Sequence, residues 1–128
     1  MSRQLLSGGG SGLGISPNPT SPLTTTTTLT RSGYQNAPVD TTGGAFTLTL
    51  PSAPVVGDTV VIVDWGENIA TNNLTISGGS AKVQNPHTGS IGATSYAFGS
   101  NEGNGATVTY QYAYSANTTP NNYWKVLN

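Results

Sequence analysis

The run "TVVIVDW", Thr59 to Trp65, puts apolar side chains on both faces of any extended strand it forms. A strand of that kind needs cover on both sides, from its own domain or from a neighbouring subunit. The segments around it are short and β-prone too. "AFTLTL" alternates, with Phe46, Leu48 and Leu50 on one face and Thr47 and Thr49 on the other, as a half-buried strand does. "NLTIS" follows the "TNN" turn. "ATVTYQYAY" sets Val108, Tyr110, Tyr112 and Tyr114 opposite Thr107, Thr109 and Gln111, and "YWKVLN" reads as a closing strand with Trp124 and Val126 on one face. Residues 78–106 are rich in Gly, Ser and Asn, and long loops with one or two short strands are expected there. No stretch keeps a 3.6-residue apolar period, so the chain is predicted to be all-β.

With 128 residues, 34% of them hydrophobic, the chain can fill one modest core. The expected architecture is a single small β-sandwich, jelly-roll-like or barrel-like. Cys is absent, which removes disulfides and thiolate zinc sites. Four basic against five acidic residues, a formal net charge of -1, give no field that attracts nucleic acid or an anionic membrane. Neither is expected as a partner. No apolar run has the length of a signal peptide or a membrane span, which is read as a soluble, cytosolically made chain.

The composition changes at Gly33. Residues 1–33 are mostly Gly, Ser, Thr and Pro and hold no apolar period; residues 34–128 carry the strand pattern. The first segment is read as an extended N-terminal arm on an all-β domain. Alone, such an arm buries too little to offset a conformational entropy cost of about 1–2 kcal/mol per residue. Fully extended it reaches roughly 100 Å, so it is suited to gripping neighbouring molecules. Its anchors are Arg3, Leu5, Leu6, Leu13, Ile15, Leu23 and Leu29, and "TTTTTLT" is β-branched enough to add as a strand to an exposed sheet edge.

A catalytic constellation is not evident. His87 is the sole histidine and lies in the polar loop "NPHTG", read as a surface position. Asp58 and Asp64, six apart on one strand, stand roughly 20 Å from each other, too far for a glycosidase pair, and read as strand-end turn residues. "DWGEN" offers Asp64, Glu67 and Asn68 as oxygen ligands without the spacing of an EF-hand. "GGGSGLG" lacks the nucleotide-loop pattern and reads as a connector. The sequons at Asn73 and Asn117 are read as chance in an Asn/Thr-rich chain. No enzyme activity, metal or cofactor is expected. Trp65, Tyr110, Tyr112, Tyr114 and Trp124 are assigned to the core or to a subunit interface; the alternative use of Trp65 or the Tyr row is an exposed sugar-stacking platform.

The stretch "VDTTGGAFTLTLPSAPVVGDTVVIVDWGENIATNNLTISGG", Val39 to Gly79, resembles a small β-module of tailed-bacteriophage virion proteins. There an Asp-Thr turn leads into a T-L-P strand, then a G-D turn, an apolar strand ending in Asp, and an N-N-x-T-I strand. The resemblance covers about a third of the chain. It implies a virion structural protein, commonly trimeric, of the kind found in capsid decoration (cement) proteins, tail fibres and tailspikes. An arm joined to one module, with no heptad or internal repeat, fits decoration better than a fibre shaft. The expectation is a non-enzymatic cement protein on the capsid surface, with the major capsid protein and further copies of itself as partners. The alternative is a tail-fibre or tailspike adaptor or receptor-binding module.

Overall fold

The computed structural model of the chain describes residues 21–99 and 101–127. They form eight strands and no helix: β1 (Thr27–Thr28), β2 (Tyr34–Val39), β3 (Phe46–Thr49), β4 (Thr59–Asp64), β5 (Leu74–Ser77), β6 (Ser95–Phe98), β7 (Thr107–Tyr114) and β8 (Asn122–Val126). One four-stranded sheet has the order β1-β3-β5-β6 and the other β2-β4-β7-β8. The two pack as a small β-sandwich around a single apolar cluster. Among the described residues no helix is long and apolar enough to cross a membrane.

The connectivity has two halves. From Thr27 to Ser77 successive strands alternate between the sheets, and β1, β3 and β5, like β2 and β4, pair in parallel. The chain therefore winds as a coil. After Ser77 it reverses, with β6 antiparallel to β5, β7 to β4 and β8 to β7. Val83 bridges Trp124 on one side and Ala93 on the other, joining the two sheets along one edge.

The alternation in "AFTLTL" is seen as expected, with Phe46, Leu48 and Leu50 buried and Thr47 and Thr49 half-buried. In β4 Val60 and Ile62 are fully inside, while Val61 and Val63 lie half-buried on the outer face. The expected cover on both sides is thus partial within one chain. Neighbours in register, Asn36 and Pro38 on β2 and Thr107 and Thr109 on β7, flank the two valines. β2 is an edge strand, and Pro38, which has no N–H to donate, sits where a missing donor costs least. Its carbonyl accepts the N–H of Leu23 at 2.9 Å.

That contact moves the domain boundary. The arm was expected to end at Gly33, yet residues 21–33 run along the sandwich. β1 pairs with β3, Leu29 N donates to Thr49 O at 2.9 Å, and Leu23 and Leu29 pack against the core cluster. The β-branched Thr segment adds to a sheet edge, as its composition predicts, but the edge is its own. Leu23 and Leu29 are therefore corrected from anchors for a partner to core-packing residues. Arg3, Leu5, Leu6, Leu13 and Ile15 lie outside the described residues.

Candidate functional site

The strand directions give the sandwich two ends. At the entry end, where β2 and β4 begin, Arg31 meets Asp58 through Nε–Oδ2 at 2.6 Å and Nη2–Oδ1 at 3.1 Å. Asp58 is buried and also accepts the N–H of Val55 at 2.9 Å. The carboxylate thus fixes the turn before β4 and ties it to the segment entering β2. Around this end Tyr34, Val55, Val56 and Tyr114 are exposed apolar side chains. Gly57 N donates to Tyr112 O, and Tyr112 N to Asp58 O, which places the turn beside the end of β7.

At the exit end, where β2 and β4 finish, loops 40–45 and 65–73 meet residues 101–106. Asp64 is buried, and its Oδ2 accepts the N–H of Ile69 at 3.1 Å and of Gly105 at 2.9 Å. Ala70 N donates to Asn104 Oδ1, and Asn72 Nδ2 to Thr41 O, each at 2.9 Å. Trp65 N and Gly66 N both donate to Val39 O. A Cβ at Gly66 would overlap Asp40 Oδ1, so a larger residue there would have to displace the Asp40 side chain. Hydrogen bonds from Thr42, the side chain first and the backbone N–H second, hold the Asp40 carboxyl below its ordinary 3.8. Among the described residues no three His or acidic side chains gather as metal ligands.

The aromatic residues divide. Tyr110 and Trp124 are fully buried, and Tyr112 is half-buried with its ring centroid 5.4 Å from that of Trp124. Tyr114 is 60% exposed and Trp65 is 68% exposed. Of the two expected places, core or subunit interface, this exposure rules out the core for both and leaves the interface. Tyr114 lies beyond Gln111, the last β7 residue paired with β4, so the strand there has only β8 beside it. Trp65 is the first residue after β4 and has left the sheet.

His87 belongs to a cluster that its loop sequence did not reveal. Its Nε2 lies 2.7 Å from Glu102 Oε2, the same oxygen accepts the Tyr96 hydroxyl, and Glu102 Oε1 accepts Gly99 N–H at 2.7 Å. Burial, then the Glu102 contact, pushes Tyr96 up from 10.0 to about 12. The cluster ties residues 84–92, β6 and loop 99–106 together. His87 remains exposed as expected. His87 and Tyr96 lie 15 and 6 residues from Glu102 in sequence, and only the fold brings the three together.

No family model matches the chain, and no curated protein matches it.

Proposed function

We propose that the chain is a non-enzymatic capsid decoration (cement) protein of a tailed bacteriophage. Its β-sandwich sits, as a trimer, on the outer face of the major capsid shell, and residues 1–20 reach adjacent capsid subunits. The observation that carries this reading is compositional: residues 1–20 are Gly-, Ser- and Pro-rich with isolated Leu5, Leu6, Leu13 and Ile15, whereas the strand pattern fills residues 34–128. Apolar residues so sparse suit short anchors on another protein's surface rather than a core of their own.

Two further features support it. Only 7% of the residues are charged, so the surface is hydrated yet weakly self-repelling, which suits dense packing on a shell. Tyr34, Val55, Val56 and Tyr114 at the entry end supply apolar area for contact between copies. Three tethered segments convert later contacts into nearly intramolecular ones, so avidity exceeds single-segment affinity by about 10²–10⁴.

The test is the copy number of this chain per purified virion, measured by mass spectrometry against the major capsid protein. Hundreds of copies support cementing. A handful per particle moves the protein to the tail, as an adaptor or receptor-binding module.

A further inference from the structure

We propose that the exit end around Trp65 is a binding site for a neutral, hexopyranose-containing glycan. The site is independent of the capsid reading. An indole that is 68% exposed leaves most of a large apolar surface in water, although the same chain fully buries Trp124. Its loop is nevertheless pinned. Asp64 Oδ2 holds Ile69 N and Gly105 N, Val39 O holds Trp65 N and Gly66 N, and Glu67 is kept at φ 55°, a left-handed conformation uncommon for a non-glycine residue. The ring is thus presented on a preformed base rather than on a slack loop.

The surroundings select the ligand. Tyr34, Val55, Val56 and Tyr114, the exposed apolar residues nearest in kind, lie at the opposite end, and Leu127 lies on β8's side of the sheet beside Thr109. A dry protein contact centred on Trp65 would lack the apolar cluster that such contacts are built on. Loops 40–45, 65–73 and 99–106 contain no Lys or Arg, and Asp40 and Glu67 on the first two oppose phosphate and other polyanions; Glu102 is taken up by His87, Tyr96 and Gly99. An exposed flat aromatic at an end of the sandwich whose loops also carry carboxylates and amides is the chemistry of a sugar site. The C–H face of a pyranose stacks on the indole, and its hydroxyls donate to acceptors at the rim. Asp40 lies against Gly66, next to Trp65, and is kept ionised by Thr42; its carboxylate has acceptor capacity left for a hydroxyl. Asn68 and Asn104, on two of these loops, add amides.

The experiment follows the two indole N–H signals of the full chain by NMR while cellohexaose, maltohexaose, isomaltohexaose or chitohexaose is added. The expected result is movement of the Trp65 signal, with Trp124 unmoved, on adding at least one sugar at millimolar concentration or below. Trp65→Ala should weaken that binding about tenfold or more, and Asp40→Asn by about threefold, with melting temperatures unchanged. No movement with any of the four sugars, or binding that survives Trp65→Ala, overturns the proposal. So does a Trp65→Ala variant that loses its oligomeric state while the wild type ignores sugars, because Trp65 is then a subunit contact.

Discussion

Arg31 and Asp58, 27 residues apart, meet through two hydrogen bonds, Nε to Oδ2 and Nη2 to Oδ1, and so lock the entry to β2 onto the turn that opens β4. The two partners are unequal: the Arg31 side chain is 45% exposed and that of Asp58 only 6%.

Removing the buried partner should therefore cost more. Asp58→Ala strands the N–H of Val55 as well as Arg31 and should destabilise by about 2–3 kcal/mol, while Arg31→Ala should cost about 1 kcal/mol. Arg31→Lys should recover little, since an ammonium cannot make the two-point contact. Urea unfolding of the three variants checks the order. Equal losses for the two alanine variants would mean that the ion pair, not the turn, is what Asp58 supplies.

Asp64 gives a sharper substitution test. Among the described residues its two accepted hydrogen bonds fall on Oδ2, and its buried Oδ1 has no partner. Asparagine can place its carbonyl oxygen where Oδ2 stands, so Asp64→Asn should cost under about 1 kcal/mol. Asp64→Ala leaves Ile69 and Gly105 N–H groups unsatisfied and should cost about 2–4 kcal/mol. Thermal unfolding of both variants decides, and a large loss in Asp64→Asn would show that the second oxygen is in use.

The two tryptophans should behave as opposites. Trp124→Ala opens a cavity in the core cluster and should cost about 3–5 kcal/mol, whereas Trp65→Ala should stay within about 0.5 kcal/mol. Fluorescence should follow suit, with acrylamide quenching Trp65 strongly and Trp124 weakly in the two single-tryptophan proteins made by substitution to Phe.

This contrast also marks what the sequence makes legible. A period of two tells which side of a strand faces inward, and it places Phe46, Leu48, Leu50, Val108 and Tyr110 correctly. It does not tell where a strand outruns its neighbour, which is why Tyr114 is exposed while Tyr110, four residues earlier on the same face, is buried. Nor does it tell parallel from antiparallel pairing. The coil from Thr27 to Ser77 is set by crossovers between sheets, and a G-D turn at Gly57–Asp58 reads equally well as part of a hairpin. β2 escapes notice because Gln35 and Asn36 break any apolar alternation and Pro38 argues against a strand. The tie between His87 and Glu102 joins separate loops, and local sequence carries no trace of it.

Alkaline pH should unfold the protein through its buried phenols. Tyr96 is raised to about 12, and burial raises Tyr110 as well, whereas an unfolded tyrosine titrates near 10.0. The folded state holds these protons more tightly. Its full stability is therefore present below about pH 10 and is lost as the pH rises from there through the folded values. The melting temperature should be flat with respect to these groups below pH 10 and fall between pH 10 and 12. Tyr96→Phe should flatten that fall. A variant that falls as steeply as the wild type would assign the loss elsewhere.

Two truncations separate the N-terminal segment from the fold. On the proposed function residues 1–20 bind the shell rather than the sandwich, so deleting them should leave the melting temperature nearly unchanged while shell attachment is lost. Deleting residues 1–33 removes β1, the packing of Leu23 and Leu29, and the Arg31–Asp58 pair. Those losses combine two part-buried leucines with an ion pair and should amount to several kcal/mol, on the order of a small domain's whole stability. The shorter deletion should then give a folded protein that no longer decorates shells, and the longer one a largely unfolded chain. A stable sandwich after deletion of residues 1–33 would restore the boundary at Gly33. Full shell occupancy after deletion of residues 1–20 would instead place the capsid contact on the sandwich itself.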